Sequence, residues 1–228
     1  MKRDEVIREI KEVIAKGYLY KSPVVNYKGK VSGEEETYTE VVAGYLLQHL
    51  DFLNSIEALQ RARGYKIEHN IGKRAKKSNR HEELFASKME GKKYKCLGKV
   101  IDFQVPLKPA KKGYNGVGKI DILSQCNSKA YIVEFKYGNN QETLLRAVLE
   151  IAYYNRWLWK EKFLKDFGND FNNLRQQDIK EAVLLGVGTR SLEEANDLAN
   201  RPNLKKLIAI LKVKIFLINK KDEISIVA

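Results

Sequence analysis

Three apolar runs, at 97–106, 117–124 and 130–136, follow one another with only short links, and a long amphipathic segment separates the third from the next apolar run at 182–187. Short links allow antiparallel hairpins, whereas a helix between two strands implies a crossover to a parallel neighbour. A helix over 79–90, with Phe85 and Met89 as apolar anchors, precedes the meander. A long helix follows it, capped near Asn140 and running to about Phe163, with Leu144, Ala147, Val148, Ile151 and Leu158 at apolar positions. A helical stretch over 191–211, interrupted by Pro202, leads to closing strands at 213–219 and 223–227. The order helix, three-strand meander, helix, strand, helix, strand predicts an α/β fold on a mixed sheet.

The region before this core reads as helical. Residues 4–16 place Val6, Ile7, Ile10, Val13 and Ile14 on one face, and Gly17 ends that helix. A loop or short hairpin over 18–33 follows, then a helix from about Glu35 to Leu53 and a short one over 55–63. The expected division is an N-terminal helical extension with a basic linker, 1–75, and a core domain, 76–228.

Two of the core strands carry charge. Asp121 lies inside Lys119-Ile120-Asp121-Ile122-Leu123, and Glu134 and Lys136 lie inside Tyr131-Ile132-Val133-Glu134-Phe135-Lys136. The Glu-x-Lys spacing alone means little, since it recurs at Glu9-Ile10-Lys11 and Glu90-Gly91-Lys92. The context separates the third case: charges inside apolar strands are costly unless they are partnered. Strand alternation puts Glu134 and Lys136 on one face, with Val133 and Phe135 on the other. If the two runs pair as a hairpin, Asp121 meets them. Two carboxylates from adjacent strands, aided by the carbonyl of Phe135, can hold a magnesium or manganese ion, and Lys136 can orient water or neutralise phosphate charge. Gly116 and Gly118 allow close approach of backbone or substrate before Asp121. The plain alternative is an ion pair between Lys136 and Asp121 or Glu134 that performs no chemistry.

Charge points to a partner. The 228-residue chain has a formal net charge of +13, which favours a polyanion, nucleic acid first and an anionic membrane surface second. Segment 61–100 holds 13 Lys or Arg against 4 acids, so its balance is 13 − 4 = +9. Lys73, Arg74, Lys76, Lys77 and Arg80 are its candidate phosphate contacts. Tyr65 and His69 could stack on bases, although ordinary packing accounts for them as well. The two cysteines, Cys96 and Cys126, read as buried free thiols, and the three histidines lack zinc-ligand spacing. No apolar run is long enough to cross a bilayer and no secretory signal precedes the first helix, so a cytoplasmic protein is expected.

The charged strands in this setting resemble the PD-(D/E)XK nuclease superfamily, over residues from about 79 to 190 and the strand near 213–219. The resemblance implies a restriction-endonuclease-like core, with Asp121 as the metal-binding aspartate, Glu134 as the second acid and Lys136 as the lysine. Ile120 stands where the family often has proline. The family also tends to carry a glutamate on the preceding helix, for which Glu82 is the choice and Glu83 the fallback. In relatives of RecB type a glutamine and a tyrosine four residues later lie on the following helix; Glu150 and Tyr154 keep that spacing, with glutamate replacing glutamine. Arg146 then contacts phosphate, or pairs with Glu150 while the tyrosines pack. The implied activity is magnesium-dependent hydrolysis of phosphodiesters, with DNA favoured, in restriction, defence, repair or recombination. Double-strand cutting would favour a homodimer. A nuclease-like fold that binds nucleic acid without cleaving it is the main alternative, and an interaction protein that is basic only for solubility is a third.

Overall fold

A computed structural model describes residues 1–17, 19–69, 81–109 and 117–227. The basic positions Lys73, Arg74, Lys76, Lys77 and Arg80, and Gly116, lie outside the described residues. One mixed sheet organises the chain. Its strands are β1 (Lys93–Tyr94), β2 (Gly98–Pro106), β3 (Lys119–Cys126), β4 (Lys129–Lys136), β5 (Ile179–Gly186), β6 (Lys214–Ile218) and β7 (Ile224–Ile226), side by side in chain order. Strands β1 to β4 form an antiparallel meander, β4, β5 and β6 run parallel, and β7 returns antiparallel. The expected meander and crossover are present, and β1 is an addition too short for any periodicity to reveal.

The helices among the described residues are α1 (Arg3–Lys16), α2 (Tyr38–Gln48), α3 (Asp51–Asn54), α4 (His81–Met89), α5 (Leu144–Trp157), α6 (Lys160–Asp166), α7 (Arg190–Asn196) and α8 (Pro202–Leu211). Helix α4 lies on one sheet face, where Ala86 and Met89 join Phe103, Val133, Phe135 and Phe216. The other face carries α5, and one apolar cluster there runs from Val6 and Ile10 of α1 through Leu46 of α2 to Leu144 and Ile151 of α5. The N-terminal extension and the sheet thus share a core. Strand β4 lies between β3 and β5 with both faces covered, so all its residues but Lys129 are buried. Buried acids tie the layers together. Glu40 of α2 accepts N–H bonds from Asn203 and Leu204 at 2.9 and 2.8 Å in the first turn of α8, and Glu194 of α7 accepts from Leu144 at 2.9 Å. Helix N-termini favour such negative partners.

Several elements differ from expectation for local reasons. The helix expected over 35–53 starts later, because Thr37 accepts from the Glu40 amide and caps α2, and it breaks at His49 before α3. No helix forms over 55–63: the buried Arg61 guanidinium takes the carbonyls of Gly64 and Lys108, and the Leu59 amide binds the Trp157 carbonyl at 2.8 Å. The same segment stops α5, since Trp159 donates its amide to the Tyr65 hydroxyl at 3.0 Å and Leu158 turns extended. The cap of α5 is Thr143, not Asn140, and its hydroxyl accepts from Arg146 at 3.2 Å. Pro202 begins α8 at a first-turn position instead of interrupting a helix. Both cysteines are free, and half-buried where full burial was expected.

Candidate active site

Side-chain alternation along β4 decides the site. Tyr131, Val133 and Phe135 enter the core under α4, while Ile132 enters the core under α5. Glu134 and Lys136 continue the α5 row, at the carboxyl end of β4, each 4% exposed. Ile122 pairs with Val133, so one step further along the antiparallel ladder Asp121 faces Glu134. Asp121 is less deeply covered than Glu134. One of its oxygens accepts the Phe135 amide at 3.0 Å and the other accepts Gln104 Nε2 of β2 at 2.8 Å.

Lys136 sits among acids. Its Nζ lies 2.8 Å from Glu134 Oε1 and 3.5 Å from Glu150 Oε2, and it also contacts Glu142. Glu150 accepts the Tyr154 hydroxyl at 2.7 Å, and that hydroxyl fills the space against Gly118, where a Cβ would come within 2.0 Å of it. Arg146 pairs with Glu142 at 2.9 Å, so the expected Arg146–Glu150 bridge is replaced by Arg146–Glu142 and Glu150–Lys136. Glu82 of α4 accepts the Tyr137 amide at 3.1 Å and Asn140 Nδ2 at 2.9 Å. It holds the loop between β4 and α5 and contributes to the field at Asp121. Sequence reasoning missed two members. Glu142 lies just ahead of the α5 cap, and Gln104 lies on a strand where nothing marked it. Tyr65 and His69 are packing residues: Tyr65 is buried against Phe163, and His69 stacks on Phe103 and meets Asp102 at 2.6 Å.

The electrostatics follow from this crowding. Burial pushes the Asp121 carboxyl up to about 7, against the pull of Lys136 and the Phe135 amide, and Glu150 and Glu82 add to the rise. Burial, then Asp121 and Glu150, drive Glu134 well above the ordinary carboxylate range. Burial opposes the Lys136 ammonium, but Glu134, Glu150 and Glu142 outweigh it and hold its pKa well above the usual lysine value. For Glu142, burial is outweighed by Lys136 and Arg146, which lower it. Burial, with Glu150 and Glu134, raises the Tyr154 phenol strongly. Lys136 is therefore a fixed cation at neutral pH and cannot accept a proton, while Asp121 and Glu134 are acids whose shared negative charge is poorly compensated.

Two facing carboxylates in that condition fit a hard divalent cation, since positive charge placed between them removes the penalty that raises both. Among the described residues no three of His, Cys, Asp and Glu converge as a metal-binding group, so such an ion would take its remaining ligands from backbone, water or phosphate. No family model, curated protein or solved structure matches this chain. Among the described residues no helix is long and apolar enough to cross a membrane.

Proposed function

We propose that the protein is a metal-dependent nuclease that hydrolyses phosphodiester bonds, with DNA the favoured substrate, on a restriction-endonuclease-like core of PD-(D/E)XK type. The observation that carries this reading is the meeting of Asp121 and Glu134 from adjacent strands beside Lys136, at one end of the sheet. The order α4, meander β2 to β4, α5, β5 supports it, as does Glu82 on the preceding helix.

Asp121 and Glu134 would hold magnesium or manganese, with the Phe135 carbonyl the backbone oxygen proposed to join them. Such an ion, when bound, neutralises charge on the phosphate and supplies a water of lowered pKa. The chain's own groups do the rest. Gln104 and the Phe135 amide fix the orientation of Asp121. Lys136, held protonated, orients water or stabilises the oxyanion on phosphorus. The Tyr154 hydroxyl and Lys136 hold Glu150 in place. Arg146, a quarter exposed, offers a guanidinium to an incoming phosphate.

A second reading has an observation of its own. Lys136 is already satisfied by Glu134, Glu142 and Glu150 in a nearly closed cluster, which suits a nuclease-like fold that binds nucleic acid without cutting it. One assay separates the two. Supercoiled and linear DNA are incubated with the protein, with and without magnesium or manganese, beside Asp121→Asn, Asp121→Ala and Lys136→Ala, with folding checked by circular dichroism. The expected result is cleavage that requires the metal and is lost in every folded variant. Cleavage unchanged in Asp121→Asn would place the chemistry elsewhere, and binding without cleavage by the intact protein would favour the second reading.

A further inference from the structure

A site built from Asp121, Glu134, Glu142 and Glu150 repels a phosphate backbone unless cations line its rim. The N-terminal extension brings two. Its 3-10 turn Leu19–Lys21 is fixed on α5: the Leu19 amide donates to the Tyr153 hydroxyl at 3.1 Å. The buried Tyr20 ring packs against Tyr153, Tyr154 and Trp157, with centroids 5.2 to 5.9 Å away. The exposed Lys21 ammonium lies 5.6 Å from the centroid of that ring, and Tyr154 in turn holds Glu150. Further along, Asn26 accepts the Thr143 amide at 2.8 Å and the Val25 carbonyl accepts the Thr143 hydroxyl at 2.6 Å. The exposed Lys28 donates to Gln141 at 3.3 Å, beside Glu142. Segment 19–28 therefore runs antiparallel to α5 and the turn before it, along the side that carries Glu142 ahead of the cap and Arg146 and Glu150 on the helix.

We infer that segment 19–28 forms one wall of a nucleic-acid channel, in which Lys21 and Lys28 flank Arg146 and meet backbone phosphates on either side of the scissile one. The inference rests on the nuclease reading for the position of the scissile phosphate, but its test reads binding. The three cations lie along α5 and the turn that leads into it, from Gln141 to Tyr154; the helical part from Leu144 to Tyr154 alone spans roughly 15 Å at the helical rise per residue, which suits a few nucleotides of backbone. Burial lowers the Lys21 ammonium while Glu150 raises it and Arg146 lowers it, so Lys21 shares the field of the site. A phosphate bound between Lys21 and Arg146 relieves their mutual repulsion. Such contacts are blind to sequence and act through charge.

The test measures fluorescence anisotropy of labelled single-stranded and duplex oligonucleotides with calcium in place of magnesium, across about 50 to 200 mM salt. The proteins are the full chain, Lys21→Gln, Lys28→Gln, the double variant, and Lys205→Gln on the outer surface of α8 as control. Each rim substitution should weaken binding about threefold to tenfold and reduce the slope of log affinity against log salt by about 1. Thermal stability and Lys205→Gln binding should match the full chain. Unchanged slopes in the double variant, an equal loss in Lys205→Gln, or no binding by the full chain would overturn the inference. If the full chain binds with the expected slopes but never cleaves, the nuclease reading fails and the wall stands. If it cleaves while the rim variants bind normally, only the wall fails.

Discussion

Replacing Asp121 by asparagine should make the metal-free protein more stable at alkaline pH. The side chain keeps an oxygen for the Phe135 amide, and Gln104 can turn its own amide to accept from the new NH2 group. What is lost is a carboxylate that burial has pushed from 3.8 to about 7. The sign follows from linkage. A raised folded-state pKa contributes stability that is fully present below 3.8 and is lost as pH rises through about 7. At about 1.4 kcal/mol per pH unit, that interval sets a ceiling of about 4 kcal/mol on the penalty carried by ionised Asp121 above pH 7. Imperfect replacement of its contacts brings the expected gain in Asp121→Asn to about 2 kcal/mol, or roughly 4–8 °C in a chain of this size. Thermal unfolding in a chelator should show this gain near pH 8 and little difference near pH 4. Magnesium should then stabilise the unmodified protein near pH 8, by about 2.7 kcal/mol at a hundredfold excess over its dissociation constant. It should do far less near pH 5, where Asp121 is protonated, and little in the variant. A variant less stable than the parent near pH 8, or a magnesium effect of equal size at both pH values, would refute the proposal that Asp121 is a cation ligand.

The packing of the site makes two further predictions. Gly118→Ala brings a Cβ within 2.0 Å of the Tyr154 hydroxyl and 2.8 Å of its ring carbon. It should cost about 1–3 kcal/mol in denaturant unfolding, part of which Tyr154→Phe recovers in the double variant. Gln104 has a left-handed backbone, φ 50°, within β2, and Gln104→Gly relieves that strain by about 1 kcal/mol while removing a hydrogen bond to Asp121. Calorimetric titration with manganese should show weaker binding in a protein of equal or higher melting temperature; unchanged affinity would mean that Gln104 does not position Asp121.

The local pattern of residues determined a good deal. Apolar runs with short links determined the meander, and the long amphipathic stretch after 136 determined the crossover that makes β5 parallel to β4. Alternation along β4 put Glu134 and Lys136 on one face and Phe135 on the other, because strand geometry repeats every two residues whatever surrounds it. Glu82 and Tyr154 were singled out by the family resemblance, and helical spacing added only that Tyr154 shares a side of its helix with Glu150. Helix ends were read less well. Where α5 stops depends on Leu59 and Tyr65, about a hundred residues away in the chain, which take its last carbonyl and the amide beyond it. Only the tertiary structure decided that Glu142 shares Lys136, that Gln104 hydrogen-bonds Asp121, and that Lys28 meets Gln141 while Lys21 lies by the Tyr20 ring packed on α5. Each is a contact between elements whose meeting depends on strand register and loop path, and a single polar side chain carries no periodic signal of the partner it will find.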